Sequence, residues 1–333
     1  MCDRTYVIKN FQKASRDGLL QVMKQLYCTY SITRDEATTR DNIAFQRASR
    51  GGHLHVLQWL HATYQITRKE ATTNNNWAFR QASLGDHLPV LQWLHNTYKL
   101  IRKDAVTNNN WVFISASKRG SLHVLQWLHD TYDITKWNIT KRNNLVFRWA
   151  ARKGHLPVLQ WLHNTYQLTR ENAVAADNTA FLCASQIGHL PMLKWLHDTY
   201  QITRKEATTR GNHVFRWAAE KGHLPMLKWL HATYQFTREE ATAEDNCAFR
   251  WATEKGHLSV LQWLHATYHI TRDEATAKKN FAFRRASQEG HLHVLQWLHS
   301  IYGITGKEGF QDIYCPRCAE LCTSVEIYKP ENS

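Results

Sequence analysis

The sequence predicts an all-α protein, built as a helical solenoid of about nine repeats of 34 residues. Each repeat contains two amphipathic stretches whose apolar residues are three and four positions apart, which is the spacing of one helix face. A turn glycine follows the first stretch, and Asp86 is the one break in its series: Gly18, Gly52, Gly120, Gly154, Gly188, Gly222, Gly256 and Gly290. Such a sustained period is typical of units that bury their apolar faces only against their neighbours.

Residues 42–75 illustrate one repeat. Asn42 and its equivalents occur in eight repeats, and asparagine is a preferred N-cap because its side-chain oxygen accepts a backbone N–H. We therefore expect a first helix over 43–50, followed by Gly52, which tolerates the turn conformation. The apolar positions after the turn predict a second helix from Leu54 to Tyr64.

A third, short helix of about two turns is expected to begin at Thr67. Thr67 and Glu70 have the spacing of a capping box, and Ala71 after them is a strong helix former. The same pair recurs as Thr33/Glu36, Thr203/Glu206, Thr237/Glu240, Thr271/Glu274 and Thr305/Glu308. Each repeat is therefore predicted to contain two longer helices and a short one.

The centre of the repeat resembles that of the ankyrin-repeat family. Residues 48–60 read A-S-R-G-G-H-L-H-V-L-Q-W-L, which is similar to the ankyrin pattern A-A-x-x-G-H-L-x-V-V-x-x-L. The resemblance implies an ankyrin-like solenoid whose first helices line a concave, partner-binding groove. Long ankyrin arrays include scaffolds and adaptors, among them those of intracellular pathogens and large viruses that engage host proteins.

Two features depart from the ankyrin pattern. The sequence Ile43-Ala44-Phe45-Gln46 replaces the T-P-L-H tetrapeptide, and a capped helix is predicted where ankyrin repeats have a β-hairpin. Tetratricopeptide repeats share the 34-residue period, but their Trp, Leu-Gly and Tyr signature is not found in this order.

Positions that stay constant between repeats are predicted to form the core. Phe45 and Tyr64 recur in all nine repeats, and Trp59 recurs in eight. The first repeat, which has no predecessor, carries Gln25 in place of the tryptophan. We therefore expect the tryptophans to pack toward the preceding repeat and the first repeat to act as an N-terminal cap.

The 20 histidines fall mostly in two columns, represented by His53 and His61. Eight positions on a helix correspond to about 12 Å of rise, which is too far for two ligands of one metal ion. We expect a hydrogen-bonded turn histidine and a histidine near the contact between repeats, and we expect no metal ion or other cofactor.

The surface that differs most between repeats is predicted to bind a partner. The first-helix positions equivalent to Ile43, Arg47, Arg50 and Gly51 share one helix face, here called the variable face. Variable aromatic and basic residues indicate an interface, although an unconstrained solvent-exposed face would vary as well. The candidate partner-binding residues are Trp77, Trp111, Trp149, Trp217, Trp251, Phe281, Arg47, Lys118, Arg119, Arg152, Lys153, Lys221 and Lys255.

The net charge of the chain is +14. A basic chain attracts acidic partners, so we expect a scaffold or adaptor that binds an acidic protein through the concave face. Binding of nucleic acid or an anionic phosphate along a basic, Trp-containing groove is the alternative. No P-loop, nucleophile elbow, H-E-x-x-H motif or separate carboxylate pair occurs, so neither enzyme activity nor a small-molecule substrate is predicted.

A column of arginines accompanies the short helix. Its regular spacing is compatible with a charge ladder between repeats, and equally with a basic ridge for phosphate groups. The column comprises Arg34, Arg68, Arg102, Arg170, Arg204, Arg238 and Arg272.

The repeats end near residue 309, so residues 1–309 are assigned to the solenoid and residues 310–333 to a C-terminal cap or tail. For Cys315, Cys318 and Cys322 in the tail, a zinc site, a redox pair and an end cap with incidental thiols remain open, and we expect the cap. The chain shows no signal-peptide h-region and no membrane span, and its seven cysteines are an odd number. Reduced thiols and a cytoplasmic or nuclear protein are predicted, within the host cell if the chain is an effector or viral protein.

Overall fold

The computed structural model describes residues 4–304 of the chain. Over this range the chain forms 25 helices and no strand, which confirms the predicted all-α class. The chain divides into two compact units, Met1–Ala175 and Ala176–Ser333, here called the first unit and the second unit. Among the helices of residues 4–304, none is both long and apolar enough to cross a bilayer.

Each repeat contains a first helix, a turn, a second helix and a short helix. The first helices are Arg4–Arg16, Thr39–Gly51, Thr73–Gly85, Thr107–Arg119, Lys136–Arg152, Ala175–Gln186, Thr209–Glu220, Ala243–Glu254 and Ala277–Gln288. The second helices are Leu20–Tyr30, Leu54–Tyr64, Leu88–Tyr98, Leu122–Tyr132, Leu156–Tyr166, Leu190–Tyr200, Leu224–Tyr234, Leu258–Tyr268 and Leu292–Tyr302. The short helices are Arg34–Ala37, Arg68–Ala71, Arg102–Ala105, Arg170–Ala173, Arg204–Ala207, Arg238–Ala241 and Arg272–Ala275. The short helix that begins at Lys136 continues through a kink at 141–144 into the first helix of the next repeat, so the two form the single element Lys136–Arg152.

The short helix forms where the sequence predicts it, but it is one turn long rather than two. The backbone N–H of Thr67 donates to the Glu70 carboxylate over 2.8 Å, and the N–H of Glu70 donates back to the Thr67 hydroxyl over 3.3 Å. This capping box satisfies two backbone donors of a helix only four residues long. A capped turn of helix thus forms where the resemblance to ankyrin repeats would place a β-hairpin.

The recurrent asparagine does not cap the first helix, and the N-cap prediction is wrong. Asn76 has a φ of 59°, a left-handed conformation that asparagine adopts more readily than most residues. In the same column, the side-chain amide of Asn144 donates to the carbonyl of Asn172, in the short helix of the same repeat, over 3.1 Å. The asparagine therefore reverses the chain and ties the first helix to the short helix of its own repeat.

Aromatic side chains form the contact between successive repeats. The ring centroid of Trp93 lies 6.2 Å from that of Phe45 and 5.9 Å from that of His61, both in the preceding repeat. The hydroxyl oxygen of Tyr98 lies 3.0 Å from His61 Nδ1. These distances confirm that the tryptophan packs backward and that the second histidine column lies at the contact between repeats.

The first histidine column joins the turns of successive repeats. His53 Nε2–H donates to the carbonyl of Arg16 in the preceding turn over 2.9 Å, as predicted for a hydrogen-bonded turn histidine. The His53 ring covers Gly18 so closely that a Cβ atom on Gly18 would lie 2.5 Å from it. The glycine is therefore required both by its φ of 72° and by the imidazole above it.

At Asp86 the turn glycine and the histidine that would cover it are both replaced. Asp86 occupies the glycine position with a φ of 67°, and the residue that would place a ring over it is Ser121 instead of histidine. His123 Nε2 lies 3.3 Å from the Asp86 carboxylate. A side chain is thus tolerated at the turn where the covering imidazole is missing.

Replacing a covered turn glycine should destabilise the protein more than replacing an uncovered one. In the second unit, a Cβ on Gly222 would lie 2.6 Å from the His257 ring, whereas a Cβ on Gly290, at a similar φ, meets no described atom within 4 Å. We expect Gly290→Ala to lower the free energy of unfolding by about 1–2 kcal/mol, because alanine is strained in the left-handed conformation. Gly222→Ala should lower it by about 1–3 kcal/mol more, because its Cβ atom also clashes with the His257 ring. Urea unfolding of both variants measures the difference, and equal losses would contradict the covering role of the histidine.

Acidification from pH 7.5 to 5.5 should lower the stability of the protein. Burial lowers the pKa of the His223 and His257 imidazoles, so the unfolded chain takes up protons at a higher pH than the folded chain. The stability that the two neutral imidazoles contribute is complete above about pH 6.5. It is lost as the pH falls from there toward the lowered pKa values of the folded chain. Thermal unfolding at the two pH values measures the effect, and a His257→Asn variant that loses as much stability on acidification as the wild type would refute it.

Candidate partner-binding face

The predicted aromatic residues of the first unit lie at the surface of their first helices. Trp77 is 36% exposed, and Trp111 and Trp149 are half-buried. The phenylalanines that recur in every repeat are fully buried in the same helices: Phe79, for example, is 0% exposed. The variable tryptophans therefore have accessible ring surface while their neighbours hold them in place.

Two cations flank the ring of Trp149. Lys118 Nζ from the preceding repeat lies 4.9 Å from the ring centroid, and Arg152 Cζ one turn further along the same helix lies 5.3 Å from it. Both distances are within the range of a cation–π contact. Trp149, Lys118 and Arg152 thus form one cluster of the kind that supplies most of the binding energy at protein interfaces.

A groove of about 550 Å³ lies beside Trp77. The guanidinium of Arg80 lies 4.7 Å from the Trp77 ring centroid, and its side chain is only 5% exposed. The lining also includes Ile43, Arg47, Arg50 and Gln81. The predicted site residues include Arg47 and Trp77 but not Arg80, and Arg50 was predicted only as a position of the variable face. Arginine occurs at the Arg80 position in five of the nine repeats, which was the available signal.

A second groove, of about 440 Å³, lies at the turns of the first unit. Lys118, Arg119, Lys153 and His155 line it together with one apolar residue. Among the described residues, none of the three cations of this groove is paired with a carboxylate. The turn edge of the first unit therefore carries positive charge that the described part of the chain does not neutralise.

The predicted aromatic residues of the second unit have basic or imidazole neighbours. Trp217 is stacked on His213 with a centroid distance of 5.0 Å and an interplanar angle of 16°. Phe281 lies between Arg250 and Arg285, whose Cζ atoms are 5.1 and 5.7 Å from its centroid. Trp251 is half-buried and lies 5.9 Å from the guanidinium carbon of Arg216.

The predicted lysines of the second unit are paired with acids. Lys221 Nζ lies 2.8 Å from the Glu220 carboxylate, and Lys255 Nζ lies 3.1 Å from that of Glu254. Arg285 also approaches Glu254, at 3.4 Å. The unneutralised turn cations described above are therefore a property of the first unit.

The arginine column is used in the structure as a charge ladder. Arg68 Nε donates to the carbonyl of Tyr98 in the next repeat over 3.0 Å, and its terminal nitrogen donates to Asp104 over 2.6 Å. At the start of the ladder, the hydrogen bond from Arg4 lowers the pKa of the Glu36 carboxyl to about 2. The ladder alternative is confirmed, since these guanidiniums already hold carbonyls and carboxylates of the following repeat.

The histidine columns serve packing and hydrogen bonding, as described above. Among residues 4–304, no three His, Cys, Asp or Glu side chains lie together as a set of metal ligands. Cys315, Cys318 and Cys322, and with them the zinc, redox and end-cap alternatives, lie outside the described residues.

Comparison with known families gives one match. Residues 147–197 match the family model of ankyrin repeats (many copies), which supports the resemblance seen in the repeat centre. No curated protein matches the chain significantly. Ankyrin repeats generally mediate protein–protein interaction, and proteins made of them are generally non-enzymatic scaffolds.

Proposed function

We propose that the chain is a divergent ankyrin-repeat protein that serves as a non-enzymatic scaffold or adaptor and binds an acidic protein partner through its variable face. The observation that carries this proposal is the cluster of Trp149 with Lys118 and Arg152, which combines accessible aromatic surface with two cations. Tryptophan and arginine are enriched among the residues that dominate binding energy. Trp111 and Trp251 are proposed to extend this contact surface within their own units.

The acidity of the partner is inferred from the charges left unpaired. Lys118, Arg119 and Lys153 surround one groove without a described carboxylate, so an acidic segment would find complementary charge there. Complementary charge accelerates encounter and selects the partner. Because Lys221 and Lys255 are already paired with glutamates, we place the stronger electrostatic attraction on the first unit.

A triple variant tests the variable face. Trp149→Ala/Trp217→Ala/Trp251→Ala should abolish capture of the partner from a cell lysate, because loss of one anchoring residue alone typically costs about 2 kcal/mol or more. The matched control is Trp137→Ala: Trp137 is 68% exposed and has Lys141 Nζ 3.5 Å from its ring, but it lies in a short-helix segment outside the variable face.

The readout is the set of captured proteins, followed by calorimetric titration of the main one with all three forms. Circular dichroism checks that the variants keep the helical content of the wild type. Equal capture by the wild type and the triple variant, or equal losses in the triple variant and the Trp137→Ala control, would contradict the proposal.

Nucleic-acid binding is the second candidate, and the unneutralised cations beside accessible tryptophans of the first unit favour it. Lys118 and Arg152 beside Trp149 could contact phosphates while the ring stacks on a base. On this hypothesis, affinity for a random single-stranded oligonucleotide falls by about 10³ or more between 50 and 200 mM salt if six or more phosphates are contacted. Fluorescence anisotropy measures this, and absence of binding at low salt removes the candidate.

A cytoplasmic or nuclear location fits this function. Cys28 and Cys247 are free thiols, which is typical of a reducing compartment. Within the proposal, this compartment belongs to a host cell if the chain is an effector or viral protein.

A further inference from the structure

The groove beside Trp77 has an unusual balance of charge. Arg47, Arg50 and Arg80 line it, and none of its nine lining residues is acidic. No ion pair involving these three arginines is formed within the described part of the chain. Three guanidinium groups thus share one groove of about 550 Å³ without a counterion.

Arg80 is the buried member of this group. Its side chain is 5% exposed, and its buried Nε has no hydrogen-bond partner. Burial also lowers the pKa of its guanidinium, because desolvation disfavours the charged form. A buried cation is normally paired or fully hydrogen-bonded, so the Arg80 guanidinium can accept a further anionic partner.

Some equivalent arginines of other repeats are compensated, although the buried Nε of Arg284, in the same column, also has no hydrogen-bond partner. Arg216, in the same column and 4% exposed, forms an ion pair with Glu244. Arg148, also in this column, donates to the backbone carbonyl of Asn143 over 2.9 Å. The position that corresponds to Glu244 for Arg80 is Asn108, which carries no charge. Arg80 therefore differs from Arg148 and Arg216 in having no hydrogen-bonded or ion-paired partner in the described part of the chain.

We propose that the Arg47–Arg50–Arg80 groove binds the phosphoryl group of a phosphorylated serine or threonine on the partner protein. A phosphomonoester carries nearly two negative charges and three acceptor oxygens, whereas a carboxylate neutralises only one of the three cations. Guanidinium forks match phosphate oxygens in bidentate geometry. Trp77, whose ring already lies against Arg80, supplies an apolar wall for the residues next to the phosphorylated one.

This inference rests on the proposed function, because it specifies what a partner presents to the variable face. The groove belongs wholly to the first unit, and Trp149, Trp217 and Trp251 do not line it. Its test is therefore separate from the capture experiment: if phosphopeptide binding fails while the Trp149/Trp217/Trp251 variant still loses its partner, only the phosphate site is refuted.

The test uses the full chain and three pentapeptides of the form Gly-Gly-X-Gly-Gly, in which X is phosphoserine, glutamate or serine. Isothermal titration at constant ionic strength should show the phosphoserine peptide binding about tenfold or more tightly than the glutamate peptide, with no binding of the serine peptide. Arg80→Gln should weaken phosphopeptide binding about tenfold or more, and Arg80→Lys should recover part of it, because lysine keeps the charge but not the fork.

The glutamine substitution is compatible with the fold, since Gln12 and Gln46 occupy the same position in the first two repeats and are buried there. Arg216→Gln is the matched control: it removes an equally buried arginine of the second unit that already has a carboxylate partner, and it should leave phosphopeptide binding unchanged.

Three outcomes would overturn the proposal. The first is equal affinity for the phosphoserine and glutamate peptides, and the second is unchanged phosphopeptide binding in Arg80→Gln. The third is that the phosphodiester dinucleotide dTpdT binds as tightly as the phosphopeptide with the same dependence on Arg80, which would assign the groove to a nucleic-acid backbone.

Discussion

The packing of each tryptophan against the preceding repeat is the contact on which the rest of the structure depends. The Trp93 ring lies against Phe45 and His61, so a single repeat has no means of burying its own aromatic surface. Stability therefore arises between neighbours, as is general for repeat architectures. The requirement keeps the second helix nearly constant, whereas the outward side of the first helix is free to differ from repeat to repeat.

The parts of the fold that could be predicted are those set by local or strictly repeated chemistry. The two main helices follow from apolar spacing, and the capping box at Thr67 and Glu70 follows from side-chain hydrogen bonds within three residues. The backward packing of tryptophan followed from Gln25, the one exception in its column. Asn76 was misassigned because asparagine is favoured both at N-caps and in the left-handed conformation, and a contact 28 residues further along the chain decides between them.

The candidate site was predictable in outline but not in its charge balance. Helix periodicity places Trp149 and Arg152 on one face, and the structure adds Lys118 from the preceding repeat. Whether a cation is paired depends on neighbours in space: Lys221 has Glu220 beside it, while Arg80 has Asn108 where Arg216 has Glu244. The burial of Arg80 depends on the adjoining helices, and the sequence of its own helix does not reveal it.

The paired exception at Asp86 and Ser121 limits how such a chain can evolve. Repeat arrays grow by duplication or exchange of whole repeats. In most repeats here, the turn histidine covers the turn glycine of the preceding repeat, so most pairs of repeats are sterically compatible. A repeat placed after the one that contains Asp86 would bring its turn imidazole onto the Asp86 side chain, unless it carried serine at that position as the fourth repeat does at Ser121. The third and fourth repeats are therefore sterically matched to each other, which restricts the order of repeats within the first unit.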